Sequence, residues 1–151
     1  MTFQHLLLFL HLAGVVTWVG GMAFAYLCLR PAAGALTPPQ RLTLWVAVLS
    51  RFFPLVWVAV ALIAVSGGTT LVRVGFGRAP AAWHVMLLTG TVMIGIFVTI
   101  WFRLWPRLCN AVAREDWAGA AVAMNGIRQR VAFNLAVGIV TIGIATLGLG
   151  V

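Results

Sequence analysis

The sequence contains no lysine and only two acidic residues, Glu115 and Asp116. Charged residues make up 8 % of its 151 residues, whereas apolar residues make up 63 % and the mean hydropathy is +1.08. Soluble domains carry about 25 % charged residues, and disordered chains combine low hydrophobicity with high net charge. The scarcity of charge therefore excludes both classes and indicates an integral membrane protein.

Cysteine is also scarce, because the chain has two, which are too few for a disulfide framework. All ten basic residues are arginine, and the formal net charge is +8. A nucleic-acid-binding protein would gather such charges on one soluble face. Here they lie between apolar stretches, so we exclude nucleic acid as a partner and interpret the arginines as topology signals and lipid-headgroup contacts.

Four stretches lack any charged side chain, namely 3–29, 52–72, 81–102 and 131–151. Each is long enough to cross a bilayer core, which takes about 20 apolar residues in a helix. We therefore predict an all-α fold in which residues 1–151 form one integral membrane four-helix bundle surrounded by lipid. The predicted helices are 3–29, 44–72, 81–105 and 131–151, with a cytoplasmic loop at 106–130 that contains a short interfacial helix around 117–124.

The arginines divide unequally between the two ends of this bundle. Eight flank the first-to-second and third-to-fourth connections, and two, Arg73 and Arg78, lie in the second-to-third connection. Because short cytoplasmic loops are enriched in arginine, we predict that both termini face the periplasm. The predicted location is the bacterial inner membrane, crossed several times.

Three histidines lie near the periplasmic ends of the predicted helices. His11 shares a helical face with Trp18 and Met22, whereas His5 lies on another face. His84 shares a face with Leu88 and with the small or hydroxyl residues Thr91, Gly95 and Thr99. A polar ring at this depth is expected to face the bundle interior. Each ring either binds a cofactor or hydrogen-bonds a backbone carbonyl or a hydroxyl.

One predicted cofactor is haem b, bound between the first and third helices. If these helices are diagonal neighbours, their axes lie roughly 11–14 Å apart, which suits iron held by His11 and His84. Trp18, Gly67 and Gly68 would border the macrocycle, and Arg73 and Arg78 would meet its propionates. Such a six-coordinate haem favours electron transfer, so this prediction includes a quinone or another redox partner and a possible membrane haem oxidoreductase.

Copper is the alternative ligand, because Cu(I) prefers thiolate, thioether and imidazole donors. The chain has five methionines. Met86 follows His84 by two residues and Met22 lies on the His11 face, so Met86, Met22 and His5 are weaker candidate ligands beside His11 and His84. This alternative predicts copper binding or uptake across the inner membrane. A third possibility is a structural membrane subunit without a cofactor.

The segment HLAGVVTWVGG at 11–21 resembles the first-helix signature of CopD-type copper-resistance membrane proteins and of the related HemJ-type protoporphyrinogen oxidases. Trp83, His84 and Met86 resemble a HemJ segment in which a tryptophan and a histidine precede a lysine. The resemblance implies a compact four-helix membrane protein in which His11 is a metal or haem ligand. Because methionine replaces that lysine here, the CopD type is favoured over protoporphyrinogen oxidation.

Small residues recur along one face of the fourth predicted helix, namely Asn134, Gly138, Thr141, Ala145 and Gly148. Small residues let membrane helices approach closely. Since this stripe is longer than one short bundle needs, we predict a homodimer.

Overall fold

The computed structural model describes residues 3–147 and forms four long helices over that range, with no strand among these residues. The helices are α1 (Phe3–Ala35), α2 (Pro38–Val74), α3 (Ala81–Ala113) and α4 (Trp117–Leu147). Each is long and apolar enough to cross a membrane. The predictions of an all-α membrane bundle and of a lipid environment are confirmed, whereas the orientation of the termini stays a prediction.

Local sequence explains where α2 begins and ends. Thr37 and Gln40 form a capping box, in which the Gln40 Oε1 accepts from the Thr37 backbone N–H at 3.2 Å and from its hydroxyl at 2.9 Å. Pro38 occupies the first turn, where its missing N–H costs nothing. The helix ends at Gly75, whose φ of 88° is a conformation that glycine adopts readily.

The segment 106–130, predicted as a cytoplasmic loop, is helical except for a short turn at 114–116. In that turn Glu115 has a φ of 56°, and the Asp116 Oδ1 accepts from the Gly119 backbone N–H at 2.9 Å at the start of α4. The loop prediction was wrong because hydropathy detects only the part of a helix that lies in lipid. After Pro106, the alanine-rich residues 107–130 contain no proline, and the chain continues as helix beyond the apolar run.

For the same reason the other predicted bounds differ from the structure. α2 begins at Pro38 rather than at residue 44, and α3 continues to Ala113 rather than ending at 105. The predicted interfacial helix around 117–124 is the first part of α4. Residues 148–151 of the fourth predicted helix lie outside the described range.

The helices pack as two pairs, α1 with α2 and α3 with α4, and the second part of α1 also contacts α4. We call the half that comprises 3–14, 61–92 and 139–147 the histidine half, and the remainder the arginine half. In the histidine half only Leu7, Gly14 and Ser66 are buried, whereas nearly all of the hydrophobic core lies in the arginine half and the middle of the bundle. Side chains in the histidine half are therefore less tightly enclosed.

A close contact between backbones fixes α1 against α2. A Cβ atom at Gly14 would lie 2.8 Å from the Ala59 carbonyl oxygen and 2.8 Å from the Ile63 Cγ1. Only glycine fits this approach without a shift of the helices. The contact sets the register of α1 one turn from His11.

Aromatic rings fill the middle of the bundle in edge-to-face pairs. Phe97 of α3 contacts Trp57 at 5.2 Å, Phe53 at 5.7 Å and Trp18 at 6.2 Å between ring centroids. Phe53 also contacts Trp105 at 5.3 Å. Such pairs each contribute about 0.5–1.5 kcal/mol beyond the area they bury. This aromatic layer, comprising Trp18, Phe53, Trp57, Phe97, Trp101 and Trp105, joins α1, α2 and α3.

Small residues of the predicted dimer stripe on α4 instead pack inside the bundle. Asn134 and Gly138 are buried, and a Cβ at Gly138 would lie 3.1 Å from Val19 and 3.3 Å from the Met93 methyl. Thr141 meets Thr89 of α3 at 2.9 Å. This part of the stripe is used within one chain, so the homodimer stays a prediction without that support.

Candidate functional site

His11 lies on the inward face of α1, in line with the buried residues Leu7, Gly14, Trp18 and Met22. This agrees with the face that we predicted from helical spacing. Its imidazole is partly exposed within the loosely packed histidine half.

Two neighbours on α2 hold the His11 ring. Its Nδ1 lies 3.2 Å from the Ser66 Oγ. A Cβ at Gly67 would lie 3.3 Å from the ring Cε1 and 3.4 Å from Nδ1, so the absence of a side chain there makes room for the imidazole. By contrast, a Cβ at Gly68 would meet nothing within 4 Å. Of the two glycines predicted to border a cofactor, Gly67 contacts the histidine and Gly68 faces open space.

The Ser66 hydroxyl decides which nitrogen of His11 carries the proton. Its single hydrogen is donated to the Leu62 carbonyl one turn earlier, and the Ile63 carbonyl lies 3.3 Å from the same oxygen and also faces the ring. The hydroxyl oxygen can then only accept from His11, so we assign the N–H to Nδ1. Nε2 consequently keeps its lone pair, and it is the nitrogen of this imidazole that can bind a metal.

His84 lies at the first turn of α3 and is held by the connection that precedes it. Its Nδ1 lies 3.2 Å from the Pro80 carbonyl oxygen, and its Nε2 lies 3.1 Å from that of Phe76. The Phe76 ring contacts the imidazole edge-to-face at 4.5 Å between centroids. A neutral imidazole donates through one nitrogen, so one of these carbonyl oxygens accepts from His84, and this hydrogen bond fastens the connection to α3.

The face of α3 that carries His84 does not point into the bundle. Leu88, Thr91, Gly95 and Thr99 are exposed. The inward face is instead formed by Met93, Phe97 and Ile100, which are buried. Our expectation that this small-residue stripe faces the interior was wrong, because spacing groups residues on a face but does not say which face meets a neighbouring helix.

Trp18 is buried in the aromatic layer, where it contacts Phe97. Its ring packs between α1 and α3 in the hydrophobic core. Its predicted role beside a cofactor stays a prediction, and the contacts described here are those of a packing residue.

The two arginines predicted to meet haem propionates lie at the histidine end and are exposed. The Arg73 guanidinium lies 4.5 Å from the centre of the Phe3 ring. Arg78 ends the short helical turn Phe76–Arg78 that precedes α3. His5, one of the three weaker candidate ligands, is exposed on α1.

The four methionines of the described range all lie on inward faces. Met22, Met93 and Met124 are buried, and Met86 is half-buried one turn before Thr89 and two turns before Met93. The fifth, Met1, lies outside the described residues. Thioether sulfurs therefore occur on the inner faces of α1, α3 and α4, in both halves of the bundle.

Asn134 is a buried polar residue that sequence reasoning placed on a packing stripe and to which it assigned no contact. It is 1 % exposed, and its Nδ2 donates to the Met93 carbonyl at 3.0 Å, which ties α4 to α3. Its Oδ1 has no donor among residues 3–147. A lone asparagine in an otherwise apolar stretch was the available signal, because such a side chain must find a partner in lipid.

Within residues 3–147 no three or more side chains of His, Cys, Asp or Glu come together in a group that fits a metal ion. Nor do His11 and His84 share a hydrogen bond or ring contact in that range. His84 hydrogen-bonds the backbone of the connection before α3, and nothing in the arrangement of His11 and His84 indicates a haem between them. That ligation stays a prediction.

Comparison with known proteins adds the family. No significant similarity is found to a curated protein or to a solved structure. A family model described as CopD, copper resistance protein D, matches residues 46–147, which is more than half of the chain and includes α3, α4 and most of α2. The chain therefore belongs to the CopD family of copper-resistance membrane proteins, as a multi-pass protein of the bacterial inner membrane.

Proposed function

We propose that this protein binds Cu(I) at His11 in the histidine half and passes it towards the arginine half, as a step in copper uptake. The observation that carries the proposal is the geometry of His11. Its Nδ1 is turned to Ser66, which leaves the Nε2 lone pair free for a metal in the more open half of the bundle. Family membership supports copper as the cargo.

The donor atoms along the inward faces suit Cu(I) in particular. Cu(I) prefers imidazole and thioether, whereas hard divalent cations prefer carboxylate oxygens. The only carboxylate side chains are those of Glu115 and Asp116, which are exposed in the turn before α4. Met86, Met93 and Met22 supply neutral sulfur donors.

A path through the bundle also needs donors at successive depths. Met86 lies in the histidine half, Met93 lies near the middle of α3, and Met22 and Met124 lie in the arginine half. The Met93 side chain reaches between α1 and α4, because its methyl carbon approaches Gly138 in the same place as Val19 does. Thioethers from three helices thus succeed one another from the His11 level inward.

The test is metal analysis of the purified protein after anaerobic loading with Cu(I), together with copper accumulation by cells that produce it. We expect His11→Ala to lower retained copper by about tenfold or more. His5→Ala is the matched control, since this histidine lies on another face of the same helix, and it should retain most of the copper. Equal copper in the wild type and His11→Ala contradicts the proposal.

A path also predicts an effect of the methionines. Met22→Leu and Met93→Leu keep side-chain volume and remove sulfur, so we expect them to reduce accumulation in cells while the loaded protein still retains copper at His11. A red preparation with an intense Soret band that is lost in both His11→Ala and His84→Ala would instead establish the haem alternative. A preparation that binds neither copper nor haem would favour the structural-subunit alternative.

A further inference from the structure

Arg30 and Arg128 line the same narrow crevice at the arginine end of the bundle. Arg30 comes from the end of α1 and Arg128 from α4, and α2 closes the crevice from behind. The remaining lining is apolar or aromatic and includes Tyr26, Trp45 and Val131. Two cationic side chains therefore share one apolar recess.

No acidic side chain within residues 3–147 neutralises these two charges. Asp116 lies in the turn before α4, roughly 18 Å from Arg128 along the helix axis, and caps the start of that helix. Arg128 Nε is buried and has no acceptor in the described part of the chain. Arg30 lies 4.9 Å from the centre of the Tyr26 ring, a contact that leaves its N–H groups able to donate.

The buried Nε–H of Arg128 has no acceptor among residues 3–147, and a buried donor without a partner is costly, so an anion from outside the chain would stabilise this side chain. The crevice itself has a cavity volume of about 30 Å³. That volume holds about one water molecule, so a headgroup must lie at its rim. The apolar walls below the rim suit hydrocarbon, which a free inorganic anion lacks.

We propose that Arg30 and Arg128 bind the phosphate of an anionic phospholipid at the rim of this crevice. The guanidinium groups donate to the phosphate oxygens, which arginine recognises through two parallel N–H groups. The acyl chains lie against apolar side chains that are deeper in the membrane than the guanidinium groups, which include the exposed Leu27 of α1 and Val131 of α4 in the crevice wall. A zwitterionic lipid binds less well, because its ammonium group meets the same two positive charges.

The test uses full-length protein that has been delipidated in detergent and then titrated with phosphatidylglycerol or phosphatidylcholine, with retained lipid counted by native mass spectrometry. We expect phosphatidylglycerol to be retained in preference to phosphatidylcholine. Arg30→Gln and Arg128→Gln should each weaken phosphatidylglycerol binding by about fivefold. Arg130→Gln is the matched control, because Arg130 is an exposed arginine on the same helix whose Nη1 already donates to its own Gly126 carbonyl.

Three results overturn the proposal. The first is equal retention of phosphatidylglycerol by Arg128→Gln, Arg30→Gln and Arg130→Gln. The second is retention of phosphatidylcholine by the wild type that equals its retention of phosphatidylglycerol. The third is a rise in unfolding temperature with inorganic phosphate alone that is as large as the rise with phosphatidylglycerol, which would show an anion site that does not require lipid. Arg128→Met keeps the aliphatic stem, so its loss of lipid with an unchanged unfolding temperature separates lost charge from lost packing.

Discussion

His11 Nδ1 lies 3.2 Å from Ser66 Oγ, and this contact joins the first two helices through a pair of polar side chains in the least enclosed part of the bundle. Since the serine hydrogen is committed to the Leu62 carbonyl, the pair fixes the tautomer of the imidazole as well as its position. The histidine is thus oriented by a neighbour, as metal-binding histidines in proteins commonly are.

Gly67→Leu should displace the His11 ring, because a Cβ at this position would lie only 3.3 Å from the ring Cε1. We expect copper retained by the purified protein to fall by about tenfold. Gly68→Leu, one residue later, adds the same side chain where nothing lies within 4 Å, so it should leave copper binding unchanged. Equal losses in both variants would show a general effect on α2 rather than displacement of the imidazole.

Gly14→Ala should destabilise the packing of α1 on α2, because the new methyl would lie 2.8 Å from the Ala59 carbonyl oxygen. We expect the free energy of unfolding to fall by about 1–3 kcal/mol. Thermal unfolding in a single detergent measures the change. Gly20→Ala is the control, since its methyl would meet no atom within 4 Å and the variant should be as stable as the wild type or slightly more so. A larger loss of unfolding free energy in Gly20→Ala than in Gly14→Ala would contradict the proposed helix contact.

Asn134→Ala should remove the hydrogen bond from the Asn134 side chain to the Met93 carbonyl, which ties α4 to the backbone of α3. The expected loss of unfolding free energy is about 0.6–1.7 kcal/mol. Asn125→Ala on the same helix removes an exposed amide and should change stability little. A loss at Asn125 that matches the loss at Asn134 is inconsistent with this role.

The orientation predicted from the arginines is tested by cysteine labelling in intact cells. Cys28 is exposed near the arginine end of α1, so a membrane-impermeant maleimide should label it only after the inner membrane is opened. Gly77→Cys, in a chain whose own cysteines are replaced by serine, places a thiol in the connection before α3 and should label in intact cells. Labelling of Cys28 in intact cells would contradict the predicted orientation and indicate the opposite one.

Hydropathy predicted the four helices because a bilayer leaves few alternatives to a helix for a long apolar stretch. It did not predict that α3 and α4 continue beyond the charged residues to a turn at 114–116. Helix continuation depends on backbone hydrogen bonding rather than on hydropathy. α3 therefore continues past the first arginine and ends just before Glu115, whose φ of 56° is not helical. The bounds of a hydrophobic run and of a helix are different quantities.

The site was predictable only in part, for a related reason. Helical spacing placed His11 with Trp18 and Met22, and burial of that face agrees. The same spacing grouped His84 with Thr91, yet this face is exposed, because Met93 and Phe97 decide which side of α3 packs on its neighbours. Tertiary contacts of this kind are not contained in the periodicity of one helix.

The aromatic layer also has an electrical consequence. Its rings exclude water across the middle of the bundle, so the dielectric constant there is low, and we expect the membrane voltage to fall mainly over this thin layer rather than over the whole protein. Each unit charge crossing it gains or loses about 2.3 kcal/mol per 100 mV. A cation held at His11 would then have most of that field still ahead of it, and with the orientation predicted here the interior-negative potential of a respiring cell would draw it inward past Phe97.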